Sequence, residues 1–212
     1  LLGGKTLAAE PALAILQIQN EDSLLFWTIQ NLKGGPKRRF GKQFGDWASA
    51  KYGSLAAAVE AWGGDRMPED DPAAGVLDFR LVWHMTADAR RQNNGQGKRL
   101  DDQLAFWTEA MVRFNRMVAD YVHNDLGCPV LINAGNWHTA DTVFLNDPER
   151  YSYTANDVLA VNRYFGGIHN GPQRGWAIVN GDVFTSDSVL SDATLSFPLA
   201  LKQAKCYPTM IT

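Results

Sequence analysis

Ala12-Leu-Ala-Ile-Leu-Gln-Ile-Gln-Asn20-Glu21 is a short, continuously apolar or neutral run that closes on an amide and a carboxylate. Pro11 precedes it, and its length and composition suit a strand buried on both faces of a parallel sheet. Working outward, the same pattern returns three times. Pro129-Val-Leu-Ile-Asn-Ala-Gly-Asn-Trp137 and Asp157-Val-Leu-Ala-Val-Asn-Arg-Tyr-Phe165 also run from apolar to polar, and Tyr207-Pro-Thr-Met-Ile-Thr212 is the fourth run. Helical segments separate them, and alternation of strand and helix implies parallel strands joined by crossover helices.

The intervening segments carry recognisable helix punctuation. Asp22-Ser-Leu-Leu-Phe-Trp-Thr-Ile reads as a helix start capped by Asp22 or Ser23. Pro36 permits a helix from Lys37, with Phe40, Phe44, Trp47 and Tyr52 at helical spacing. Ser54 caps Leu55 to Trp62, and Gly63-Gly64 stops it. Residues 63–75 read as a loop, and residues 76–90 fit a short helix or an irregular segment equally well. Leu100 to Asp125 is the strongest helix, with Leu104, Trp107, Met111, Phe114, Met117, Val118 and Tyr121 in one apolar stripe. Asp141–Leu145 and Asp147-Pro-Glu-Arg form a short helical return, Trp176–Asp182 an excursion, and Ser196–Gln203 a last helix.

The 212 residues are 45% hydrophobic and 20% charged, with a formal net charge of −3. That composition suits one globular domain with a substantial core. It argues against a polyanion-binding surface, and Lys33-Gly-Gly-Pro-Lys-Arg-Arg39 reads as a solvated loop and helix start rather than a nucleic-acid patch. No apolar stretch is long enough to span a membrane. Cys128 and Cys206 each precede a strand-like run and read as small buried hydrophobes, not a disulfide framework. Leu1-Leu-Gly-Gly-Lys has neither an initiator Met nor a complete signal peptide, so the expectation is a segment of something longer.

Parallel strands deliver their C-terminal ends to one face. That face would gather Asn20, Glu21, Asn133, Asn136, Trp137, Asn162 and Tyr164. Amides pair with hydroxyls and aromatic rings stack on sugar C–H faces, so the set suits a carbohydrate. Glycoside cleavage needs one carboxyl as proton donor and a second as nucleophile or base. Glu21 is placed for the first role, where partial burial would keep it protonated near neutral pH.

Ile18-Gln-Asn-Glu-Asp-Ser, Asn133-Ala-Gly-Asn-Trp137 and Val161-Asn-Arg-Tyr-Phe165 resemble the retaining (β/α)8-barrel glycoside hydrolases, the clan of cellulases, mannanases and β-galactosidases. The resemblance implies a partial (β/α)8 barrel, strands four to seven, as one domain over residues 1–212. Residues 34–100 would be an enlarged helical β/α connection after the first strand. It implies that Glu21 is the acid/base, that Asn20 binds the sugar 2-hydroxyl, and that Tyr164 touches the nucleophile. The nucleophile would be a Glu following the last strand, just past Thr212. It implies no cofactor, a carbohydrate substrate, and secretion by analogy with polysaccharide-degrading members.

Each candidate has a plainer reading. Glu21 fits the first-turn acid of a helix, Asn20 a cap, and Asn133 and Asn136 turn residues. Trp27 and Trp47 read as core residues on helices, and Trp176 as an ordinary aromatic. His138 and His169 follow strand ends and are candidate cleft residues, whereas His123 reads as structural. Asp65, Asp70 and Asp71 lie in one loop without an EF-hand pattern, and no metal is called for. Four strands of a barrel would leave two sheet edges open, so self-association or a remainder of the barrel is expected. A lone segment with one carboxylate would have little or no turnover. The competing functions are a carbohydrate-binding domain without catalysis and an unrelated doubly wound α/β domain, the latter lacking a Gly-rich phosphate loop after its first strand.

Overall fold

A computed structural model describes residues 6–92, 97–137, 139, 141 and 143–162, together with the backbone of three later strands. The architecture is mixed α/β. The strands are β1 (Ile15–Gln17), β2 (Leu131–Asn133), β3 (Leu159–Val161), β4 (Gly167–Asn170), β5 (Val183–Ser186) and β6 (Thr209–Ile211). The helices are α1 (Gly34–Tyr52), α2 (Leu55–Ala61), α3 (Ala87–Gln92), α4 (Gly97–Asp120) and α5 (Asn146–Tyr153). All four apolar runs become strands, each shorter than its run.

β1 pairs with β2 in parallel, Ile15 opposite Leu131 and Gln17 opposite Asn133. A parallel bridge from Asn133 to Val158 sets β3 beside β2. β3 pairs in parallel with β6, Leu159 opposite Thr209. Parallel pairings therefore run in the order β1, β2, β3, β6. β4 and β5 form an antiparallel pair inside the connection between β3 and β6. Among the described residues no helix is long and apolar enough to cross a membrane.

The connection between β1 and α4 is helical and has its own core of Phe44, Trp62, Leu77, Leu100, Phe106 and Trp107. α1 ends at Gly53, whose φ of 85° is a left-handed conformation that glycine adopts without strain. The Ser54 hydroxyl accepts from the Ala57 N–H and caps α2 as its sequence predicts. The packing of α1 depends on two glycines one turn apart. The Gly41 carbonyl accepts from the Leu77 N–H at 3.1 Å. A Cβ on Gly45 would lie 2.0 Å from the Gly75 carbonyl oxygen, so residues 75–77 lie directly on the helix backbone. Two buried polar knots complete this region. Arg99 binds Asp70 through two hydrogen bonds of 2.7 Å. Asp102 accepts from Lys51, Tyr52 and Trp62.

The connection departs from its sequence reading at residues 22–31. Residues 22–31 form turns and a short 3-10 helix over Trp27–Asn31, because Asp22 bonds the Thr28 hydroxyl and the Ser23 N–H instead of capping a full helix. Trp27 is accordingly exposed, not core. Residues 76–90 resolve into a 3-10 turn at Val82–Met85 followed by α3.

The stripe on α4 divides. Trp107 and Met111 are buried, whereas Phe114, Met117 and Tyr121 are exposed. α4 runs on into a π-helical turn over Tyr121–Asp125, and Ala119 of α4 and Val122 of that turn pack toward Leu13, Leu16 and Ile132 of the strand layer. It joins α5 through Asn115, whose Nδ2 donates to the Ser152 carbonyl and whose own carbonyl accepts from Asn156. The seam is hydrogen-bonded, so apolar periodicity could not reveal it. Cys128 is buried and unpaired, matching its reading; Cys206 and the expected helix over 196–203 lie outside the described residues.

Candidate functional site

The chain leaving β1 continues to pair with the chain leaving β2. The Ile18 N–H donates to the Asn133 carbonyl at 2.9 Å and the Gln19 N–H to the Ala134 carbonyl at 3.1 Å. This extension carries Asn20 and Glu21 out over the ends of β2 and β3. Glu21 then takes a φ of 46°, the one positive φ outside glycine among the described residues. A non-glycine residue held there costs on the order of 1–3 kcal/mol, and such strain gathers at functional sites.

Asn136 meets both residues of the pair. Its Oδ1 accepts from the Glu21 N–H at 2.8 Å, and its Nδ2 donates to Asn20 Oδ1 at 3.0 Å. It is almost fully buried, so its amide orientation is set by these contacts. The Asn136 carbonyl accepts from the Asn162 N–H at 2.7 Å. Asn162 in turn donates from its side-chain Nδ2 to Glu21 Oε1. Residues following β1, β2 and β3 thus converge on Glu21, Asn136 on its backbone N–H and Asn162 on its carboxylate. A hydrogen bond to a carboxylate oxygen fixes its direction.

The other expected contacts fall at different depths. Asn133 is completely buried and donates to Gln17 Oε1 at 2.8 Å, so it ties β2 to β1 beneath the site. Gln17 reaches Asn20 Oδ1 at 3.4 Å. Trp137 is half-buried and meets Phe26 edge to face, with ring centroids 4.4 Å apart. Asn20 is exposed, and Glu21 and Asn162 are half-buried. His169 falls on β4, of which only the backbone is described. Tyr164, His138 and Trp176 lie outside the described residues. His123 bonds the Val130 carbonyl through Nε2, the structural role read for it.

α5 holds functional candidates that sequence reasoning passed over. Glu149 is fully buried, and its Oε2 accepts from the Ser23 hydroxyl at 2.8 Å. The Ser23 oxygen also accepts from the Leu25 N–H at 2.9 Å. Burial pushes the Glu149 carboxyl up to about 7; nearby Tyr153 and Ser23 hydroxyls and the Arg150 charge oppose that rise, and Asp22 adds to it. Burial and the Glu149 charge also drive the Tyr153 phenol well above its ordinary value. Arg150, buried beside it, donates to the carbonyls of Ala160 and Trp137, each at 2.6 Å. In sequence these charges stand in a run read as a short helical return, and charged residues give periodicity no reason to place them inside.

Among the described residues no group of three or more His, Cys, Asp or Glu side chains could hold a metal ion. The loop acids are committed elsewhere: Asp65 to Arg80, Asp70 to Arg99, and Asp71 to Arg38 and the Ala74 N–H. Comparison with protein-family models, curated proteins and solved structures finds no match to this chain.

Proposed function

We propose that this chain carries the acid/base side of a retaining glycoside hydrolase built on a (β/α)8 barrel, with β1, β2, β3 and β6 as strands four to seven. The observation that carries the reading is the hydrogen bond from Asn162 to Glu21, made while Asn136 holds the Glu21 N–H and the Asn20 amide. Polar groups following three successive parallel strands meet at Glu21, on the face where a barrel would carry its chemistry.

In this reading Glu21 protonates the departing glycosidic oxygen and then deprotonates the attacking water. Asn20, exposed and oriented by Asn136, binds the sugar hydroxyl next to the cleaved bond. Trp137 offers a ring for stacking. A retaining mechanism needs a second carboxyl about 5–5.5 Å away; that group is the glutamate that the resemblance puts after β6. Among the described residues β1 pairs with β2 alone, and Phe114 and Met117 of α4 and Tyr121 just beyond it are exposed. The rest of a barrel, or a second copy, would cover both.

The test is leaving-group dependence in the full-length natural protein. Glu21→Gln should lower turnover of glycosides with poor leaving groups by roughly 10²–10⁴, the usual worth of general acid catalysis. Dinitrophenyl glycosides, which need no proton to depart, should lose far less in their cleavage step. Undiminished oligosaccharide hydrolysis in that variant would overturn the role given to Glu21. Sugar binding without hydrolysis in both proteins would move the assignment to a carbohydrate-binding domain.

A further inference from the structure

We infer that Glu149 and Arg150 are positioning residues for Glu21, acting through the three chain segments that meet at it. This rests on Glu21 being the working carboxyl of the site. Glu149 grips the segment after β1 through Ser23, two residues beyond Glu21. Arg150 grips the segment after β2 at the Trp137 carbonyl, next to Asn136, and β3 at the Ala160 carbonyl, two residues before Asn162. Asn136 and Asn162 are the side chains that bond Glu21. One helical turn therefore fixes, from behind, the approach of all three strand ends.

Two physical features support the assignment. Glu21 occupies a strained backbone conformation, and such a conformation persists only where its surroundings over-determine it. The Ser23–Glu149 bond and the Glu21 N–H to Asn136 bond hold the chain on either side of that residue. Cohesion alone would be served more cheaply by apolar side chains than by two buried charged groups, which must be desolvated. What the charged pair adds is direction, because each hydrogen bond is made to a defined atom of a defined segment.

The experiment reads Glu21 directly by NMR in the isotopically labelled chain, with no sugar present. The Asn162 side-chain amide signal should follow the Glu21 titration, and Glu21→Gln should abolish that dependence. In Ser23→Ala and Glu149→Ala the Glu21 midpoint should move by at least about half a pH unit, or the Asn162 signal should cease to follow it. Glu149→Gln, which keeps an acceptor for Ser23, should retain the wild-type midpoint. Arg150→Met should separate the Asn136 and Asn162 side-chain signals from Glu21. Folded Ser23→Ala with an unchanged Glu21 midpoint and Asn162 signal overturns the inference, even if its melting temperature falls. Should Glu149→Ala not fold, Ser23→Ala decides alone. The glycosidase reading fails separately, by absence of turnover in a full-length protein whose Glu21 titration is intact.

Discussion

Replacing Glu149 by Gln should flatten the pH dependence of stability between pH 5 and pH 8. A carboxyl that ionises at 4.5 when unfolded and at about 7 when buried binds its proton more tightly in the native state. Between those values the native state holds a proton that the unfolded chain has lost, so stability falls as pH rises through the window. At about 1.4 kcal/mol per pH unit the whole gap is worth about 3 kcal/mol, most of which is lost between pH 5 and pH 8. With a urea slope of about 2.5 kcal/mol/M, the wild-type midpoint should drop by about 1 M over that range. Other groups displaced by folding titrate elsewhere. Asp70, Asp71 and Asp141 are held below the ordinary carboxylate value, so their stabilisation is lost only as pH falls below about 4. Lys37 is raised above its ordinary 10.5, so its contribution is lost only as pH rises beyond that value. The substituted amide keeps an acceptor for the Ser23 hydroxyl and carries no charge. The variant should match wild type near pH 5 and exceed it at pH 8. Urea melts at four or five pH values, fitted for midpoint and slope, measure this. Parallel curves for the two proteins would refute burial as the dominant influence on Glu149.

Gly45→Ala reverses a familiar sign: alanine ordinarily stabilises a helix interior by about 1 kcal/mol over glycine, but here its Cβ would stand 2.0 Å from the Gly75 carbonyl oxygen. Calorimetry should show a net loss of roughly 2 kcal/mol, or about 4–8 °C in Tm; a gain would mean that residues 75–77 do not lie on α1. Arg99→Met leaves the buried Asp70 carboxylate without its bidentate partner and should cost about 3–5 kcal/mol in urea melts. Asp102→Asn removes a charged acceptor shared by Lys51, Tyr52 and Trp62. Burial first, and then Asp102, holds the Tyr52 phenol at about 12, so ultraviolet titration of the variant should find Tyr52 ionising at lower pH, with a loss of about 2 kcal/mol in stability.

How far the molecule could be read from its chain depends on which force made each feature. The four strands were legible as short apolar runs, although β3 is buried throughout while β1 is half-buried and Leu131 of β2 is exposed, and Ser54 and Gly63-Gly64 were legible because caps and left-handed turns demand particular residues. Residues 22–31 were misread because Asp22 and Ser23 satisfy helix-cap chemistry and loop chemistry equally well. The tertiary bond from Ser23 to Glu149, across 126 residues of sequence, joins the Asp22 bonds to Ser23 and Thr28 in deciding between the two. Asn20, Glu21, Asn136 and Asn162 could be nominated because polar residues at the end of an apolar strand have few structural reasons to be there. Their division of labour could not, since Asn133 and Asn136 differ by three positions yet one supports the strands and the other orients Glu21. Glu149 and Arg150 were invisible for the complementary reason. Charge in a sequence is read as a mark of solvent, and buried charge becomes intelligible only once its partners on other segments are known. In the proposed reading, where Glu21 is the working carboxyl and sits on strained backbone, the residues that determine its geometry lie on α5, which holds Ser23 and the carbonyls of Trp137 and Ala160.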